Sequence, residues 1–220
     1  MTPVEIVRAA SRFGAEAELA TALLPYSVPS GDGAHDIAHI LRVWKAAEAI
    51  QAVESGDRPI LAAAVLLHDC VAAEKNSPER KFASRRAAEK AAAILRDLGW
   101  SDAPLAATAH AIAAHSFSAG IPPETLEARI LQDADRLDAI GMIGVARCFY
   151  IGGRLGSGLY DPFDPEATAR PLDDARFALD HFETKLLKLA AGFNTETGRQ
   201  MAAVRHARLL EFRDALASEI

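Results

Sequence analysis

Cysteine is scarce in this chain of 220 residues. Cys70 and Cys148 are the only two, so no disulfide framework is called for and the expected setting is a reducing, cytoplasmic compartment. Long hydrophobic runs are missing as well. The longest, Ile60 to Leu67, falls far short of the roughly 20 apolar residues of a membrane span. The stretch MTPVEIVRAASRFGAEAELA carries charge throughout and lacks the apolar block of a secretory signal. Basic charge is not in excess. Lys and Arg number 24 against 30 Asp and Glu, a formal net charge of −6, which argues against a nucleic-acid binder working by bulk phosphate neutralisation. A small phosphorylated ligand held by a few local arginines stays open. No stretch sustains apolar/polar alternation between turn signals, so no strand is expected.

What is present fits an ordinary globular protein. Half the residues are hydrophobic and a quarter charged, which excludes disorder as the main state. The length suits one domain spanning residues 1–220, with a core over about 30–150 and a C-terminal extension over 171–220. Helical periodicity dominates. Asp36–Val53 sets Ile37, Ile40, Leu41, Trp44 and Ala47 on one stripe. Ile60–Cys70 is apolar nearly all round and reads as a central buried helix, with Pro59 at its start. Phe82–Leu98 stops at Gly99, and Ala103–His115 and Pro123–Ile140 follow. Leu172–Ala191 and Glu196–Ser218 read as two long amphipathic helices. Between them and the core, residues 152–171 hold four glycines and three prolines, a long loop with the composition of a connection, a lid or a dimer contact. The class is all-α.

Several polar groups disturb these apolar faces. His39 lies beside the stripe of its helix, and His68 and Asp69 close the most buried one. Asp133, Asp135 and Asp138 fall in a helix that is otherwise apolar on that side. Burying such a carboxylate uncompensated costs several kcal/mol. A cation shared by His39, His68, Asp69 and Asp135, spaced by 29, 1 and 66 residues, resolves all of these conflicts together. Mixed nitrogen and oxygen donors suit manganese, iron, nickel, cobalt or zinc better than calcium or magnesium.

The stretches HDIAHILRVWKAA, LLHDCVAAEKNSPERKFASR, AHSFSAGIPPETLEARILQDADRLDAIGMIGVARCFY, DDARFALDHFETKLLKL and NTETGR run from about His35 to Arg199. Together they resemble the HD-domain metal-dependent phosphohydrolase superfamily, and within it a bacterial branch of small single-domain proteins with nucleotide pyrophosphohydrolase members. The resemblance implies an HD-type helical bundle, a metal (manganese first) on His39, His68, Asp69 and Asp135, and a phosphorylated substrate of the nucleotide class. It implies hydrolysis by metal-activated water, as a pyrophosphohydrolase or a phosphatase. Two departures stand out. Glu74 replaces a proline common in the branch, and Ala72 and Ala73 occupy the positions of an acidic pair found in alarmone hydrolases, which points away from that activity.

Around this set, His35 sits one turn before His39 and is expected at the same site. His115 is the candidate for phosphate contact or leaving-group protonation, with His35 as the other candidate acid. His110 reads as a core histidine bonded to backbone, His181 as structural or interfacial, and His206 as a surface residue. Lys75, Arg80 and Arg136 are the expected phosphate ligands, with Lys75 and Arg136 also neutralising charge in the transition state. Arg136 has ion pairing with Asp133 as its competing role, and Asp138 is placed to orient a ligand imidazole. Cys70 reads as a small buried hydrophobe. The rival function is a non-catalytic regulatory domain that binds metal and nucleotide. A two-iron oxygenase on a related scaffold would need extra ligands such as His110 and His115. Phe177, Leu179, Phe182, Leu186, Leu187 and Leu189 exceed what one small core needs, so a homodimer is expected. No membrane or nucleic-acid polymer is expected as a partner.

Overall fold

The computed structural model describes residues 1–27, 36–71, 82–116 and 119–220. His35, Lys75 and Arg80, with Ala72, Ala73 and Glu74, lie outside them. The described residues are helical, with no strand; one isolated bridge joins Gly158 and Phe177. No helix among them is long and apolar enough to cross a membrane. The chain divides into two compact units, Met1–Asp135 and Arg136–Ile220.

The first unit is organised around α4. Its helices are α1 (Pro3–Ala10), α2 (Ala17–Ser27), α3 (Ile37–Glu54), α4 (Arg58–Leu67), α5 (Ala83–Asp97), α6 (Asp102–His115) and most of α7 (Leu126–Asp138). Every residue from Leu61 to Leu67 is 0% exposed, as the all-round apolar sequence anticipates, and α2, α3, α5 and α6 pack against this rod. Burying each large side chain there contributes roughly 1.5–3 kcal/mol. Asp57 caps the start of α4 by accepting from the Ile60 amide at 3.0 Å, with Pro59 in the first turn. Glu127 at the start of α7 accepts from the Asp57 amide at 2.8 Å, which ties the two helix starts together. The approach requires Gly56, whose φ is +112° and whose added Cβ would press on Glu127 and Ile130. The N-terminal helices, for which the sequence offered only a charged stretch, pack through a Phe13–Trp44 stack at 4.8 Å.

The second unit contains α8 (Gly141–Leu155), α9 (Asp180–Thr184) and α10 (Glu196–Ala217). Phe149, Phe182 and Phe212, one from each helix, pack with ring centroids 5.9–6.1 Å apart. Two expectations change here. The glycine-rich segment is helical as far as Leu155, and the left-handed Gly156 (φ 78°) ends α8. The long helix expected over Leu172–Ala191 is broken into α9 and a 3-10 stretch, Leu186–Gly192. The reason is local competition for hydrogen bonds. The amides of Ala178 and Leu179 donate to the carbonyls of Gly158 and Leu159 at 2.9 Å, and Gly158 returns a bond to Arg176. Asp180 takes the Asp173 amide and both arms of the Arg170 guanidinium, at 2.6–2.8 Å, while Arg170 stacks 4.7 Å from the Phe177 ring.

This fold absorbs most of the apolar stripe. Phe177, Leu179, Phe182 and Leu186 are buried in their own unit, and Leu187 and Leu189 are half-buried, so the surplus behind the homodimer expectation is small. Phe163 remains 95% exposed beside a cavity of about 650 Å³ lined by Leu172, Leu179, Phe182, Ala217 and Ile220.

Asp180 is 2% exposed, and hydrogen bonding from Arg170 holds its carboxyl below the usual carboxylate range. A lowered folded pKa makes the pair stabilising above the unfolded value near 3.9, with that stability lost as the pH falls through the folded value. Asp180→Asn is expected to lower the melting temperature by about 5 °C at pH 7. Thermal melts should show this deficit shrinking below about pH 4; a deficit unchanged down to pH 3 would contradict the assignment.

Candidate metal centre

Three helix segments of the first unit bring the polar intruders of the sequence to one point. Asp36 caps α3 by accepting from the His39 amide at 3.0 Å, so His39 lies in the first turn of that helix. α4 ends at Leu67, and His68 and Asp69 follow in a turn. Asp135 projects from α7, which Gln132 fastens to the end of α6 by donating to the Ala114 carbonyl at 2.7 Å. His115 is the last residue of α6.

The donor atoms face one another. His39 Nε2 is 3.2 Å from His68 Nε2 and 3.6 Å from Asp135 Oδ1. Asp69 Oδ2 is 3.7 Å from His39 Nε2 and 3.5 Å from His68 Nε2. His68 Nε2 is 4.0 Å from Asp135 Oδ1. The other oxygen of Asp69, Oδ1, is 3.8 Å from His115 Nε2, and the His115 ring meets that of His68 edge-on, centroids 5.0 Å apart. Asp69 thus spans two histidine environments.

Burial differs by chemistry. The imidazoles of His39 and His68 are at most 1% exposed, whereas the carboxylates of Asp69 and Asp135 are 31% exposed. His68 Nδ1 donates to the Val65 carbonyl at 2.8 Å, which leaves the Nε2 lone pair turned to the centre. Burial pushes the His68 pKa below its ordinary value, outweighing the pull of Asp69, so the ring is neutral at pH 7. His115 Nδ1 makes the same bond to Ile112, at 2.6 Å. Two buried imidazoles and the Asp135 carboxylate facing one another within 4.8 Å make a mixed nitrogen and oxygen donor set of the kind a transition metal takes. Donors about 2.1 Å from a common ion lie about 3.0 Å apart at right angles and about 3.4 Å apart in a tetrahedron. His39, His68 and Asp135 offer ligand atoms that all lie within 4.8 Å of one another, and their separations of 3.2–4.0 Å leave room for such an ion, so this His-His-Asp set fits a divalent metal, with Asp69 Oδ2 beside both imidazoles.

Other sequence candidates fall elsewhere. His110 Nε2 accepts from the Glu124 amide at 3.0 Å, bonded to backbone as expected but half-buried instead of in the core. His181 pairs with Asp174 at 2.8 Å. His206 is half-buried, not a surface residue, and its Nδ1 is buried without a partner. Arg136 is buried in the second unit, its guanidinium 5.6 Å from the Phe193 ring. The Asp138 carboxylate receives Arg147 at 2.9 Å. The carbonyls of Val65, Ile112 and Ala114 support the centre without any sign in the sequence, because a backbone acceptor has no residue type to announce it.

The chain belongs to the HD-domain family. The HD domain model matches residues 36–140, the segment that holds His39, His68, Asp69 and Asp135. The chain is 33% identical over 190 residues to the uncharacterized protein YpgQ of Bacillus subtilis, covering 84% of each. It is similar to the crystal structure of an HD-superfamily hydrolase from Bacillus thuringiensis, with 33% identity, a TM-score of 0.67, and coverage of 99% of this chain and 98% of that one. It is also similar to Bacillus subtilis YpgQ solved in complex with ADP, with 29% identity and a TM-score of 0.67 over 100% of this chain and 97% of that one.

Cys70, next to Asp69, is 0% exposed, and burial pushes its thiol up to about 11. A thiol of that kind is neither nucleophile nor ligand at neutral pH. Iodoacetamide at pH 8 is expected to leave Cys70 unmodified in the native protein and to label it in denaturant, as read by peptide mass spectrometry. Rapid native labelling of Cys70 would reverse this view of the turn.

Proposed function

We propose that this protein is a metal-dependent phosphohydrolase acting on a phosphorylated small molecule, with nucleotides as the substrate class and pyrophosphohydrolysis or phosphate removal as the reaction. The observation that carries the reading is the meeting of two buried imidazoles with the Asp135 carboxylate within 4.8 Å of one another, with Asp69 Oδ2 3.5–3.7 Å from both imidazoles. The ADP complex of the similar YpgQ supports the nucleotide class.

His39, His68, Asp69 and Asp135 would hold the ion, manganese first among the divalent transition metals. A divalent cation there supplies a Lewis acid for a phosphoryl oxygen and acidifies water. The protein residues divide the remaining tasks. His68, locked by Val65, keeps a fixed lone pair, and Asp69 and Asp135 face the open side where substrate arrives. His115, whose Nδ1–H is committed to the Ile112 carbonyl, is the group assigned to protonate the leaving oxygen, a task that requires the imidazolium with a second proton on Nε2; His35 is the alternative acid. Lys75 and Arg80 are assigned to the phosphates, where positive charge offsets the charge that develops in phosphoryl transfer; Arg136, buried against Phe193, is not.

The test is turnover with added manganese across nucleoside mono-, di- and triphosphates, with products resolved by phosphorus NMR. Nucleotide hydrolysis is expected. Binding of metal and nucleotide without turnover would replace the enzyme by a regulatory binding domain. Elemental analysis of His68→Ala is expected to show loss of about one ion per chain with circular dichroism unchanged; full occupancy in that variant would end the ligand assignment. Lys75→Ala is expected to lower kcat/KM by roughly tenfold to a thousandfold at constant metal content, and Lys75→Arg to recover part of the loss.

A further inference from the structure

The turn that carries His68 and Asp69 is fastened to α5, a helix that supplies none of the proposed metal ligands. α4 stops at Leu67, and the Cys70 amide closes the turn by donating to the Leu67 carbonyl at 3.1 Å. α5 presents Ala87 and Lys90, one helical turn apart, to this segment. Cys70 Sγ donates to the Ala87 carbonyl at 3.6 Å, and Lys90 Nζ donates to the Cys70 carbonyl at 2.9 Å.

Each of these contacts has a physical reason. The Cys70 carbonyl lies in the turn beyond α4, on the side of that helix's negative dipole end, so a lysine ammonium there supplies a donor for a carbonyl outside the helix and a charge of favourable sign. The middle of the buried face of α5 is Ala87, Ala88 and Ala91, between Ser84 and Leu95, small enough for the turn to approach closely. The residue after Asp69 is therefore gripped at its side chain and at its carbonyl. Asp69 is the group with the most to lose from a loose turn. Its two oxygens stand 3.5–3.8 Å from three imidazole nitrogens, and a rotation of the backbone next to it would spoil all three spacings together.

We propose that Lys90 is a positioning residue of the metal centre: its ammonium, bonded to the Cys70 carbonyl, fixes the backbone from which Asp69 reaches His39, His68 and His115. This rests on the metal reading given above. Lys90 acts through the turn and not on substrate, so its loss weakens ion binding before any chemistry takes place. Partners one shell away from metal ligands commonly change affinity by about 10–100-fold.

The experiment titrates Mn2+ alone into wild type, Lys90→Met, Lys90→Arg and His68→Ala, reading free Mn2+ by electron paramagnetic resonance, with thermal melts of the metal-free samples. Methionine keeps the apolar stem and removes the ammonium; arginine restores a cationic donor. Lys90→Met is expected to bind Mn2+ about tenfold or more weakly, Lys90→Arg to return to within about threefold of wild type, and the metal-free melting temperature of Lys90→Met to stay within about 2 °C. Wild-type affinity in Lys90→Met would overturn the proposal. So would an affinity loss that arginine does not rescue and that accompanies a fall in melting temperature, since that pattern marks a general structural role. Mn2+ binding undiminished in His68→Ala would show instead that the metal reading itself fails, and the positioning role would fall with it.

Discussion

The structure of the first unit depends on one constraint: polar groups of like need must meet at the end of a helix that has no polar side. α4 is buried from Leu61 to Leu67, so its end is the only place along it where His68 and Asp69 can stand. Their partners have to come to that point from other helices. Asp36 fixes where α3 begins and so where His39 lies. Glu127 and Gln132 fix α7 against the start of α4 and the end of α6, and so locate Asp135. The supporting bonds lie outside the centre, each made to a backbone group. Backbone acceptors and donors barely move when side chains repack, which gives the donor atoms defined positions before any ion arrives.

Much of this was legible in the sequence, for a specific reason. A charged or imidazole side chain on an apolar helical stripe violates the pattern around it, and the violation is visible without coordinates. His39, His68 with Asp69, and Asp135 each show it. The pattern could not say that His115 would come within 3.8 Å of Asp69, because His115 ends its helix and interrupts no stripe. Nor could it reveal the lysine at position 90. Lys90 lies on the exposed side of an alanine-rich helix and reads as a solvated cation. Its role follows only from the fold bringing the Cys70 carbonyl within 2.9 Å.

The second unit shows where periodicity misleads. Residues 172–191 carry an apolar stripe suited to a helix, yet most of the stretch is something else. Periodicity measures which side chains can share a face. It does not measure competition for the backbone. Around Arg170 and Asp180, side-chain bonds and the pairing of residues 177–179 with 158–159 occupy groups that a continuous helix would use. The stripe is buried all the same, with Phe182 in the aromatic cluster and Phe177 under Arg170. The apolar pattern thus forecast burial correctly and helix length wrongly, because burial depends on side chains and helix length on backbone bonds.

The division of burial within the centre bears on how the ion and the fold are coupled. In a small zinc-dependent domain the metal supplies the core, and removing it unfolds the chain. Here the core beside the centre is α4 and its apolar neighbours, whose packing needs no ion. The imidazoles, which tolerate burial as neutral rings, form the floor, and His68 is held neutral by that burial. The carboxylates, for which full burial without a cation would cost several kcal/mol, keep about a third of their surface in water. Water therefore solvates Asp69 and Asp135 whenever a cation does not. The same exposure leaves the carboxylate side as the open face through which a phosphorylated ligand could approach. The imidazoles thus rest on a packed apolar floor while the carboxylates turn toward water.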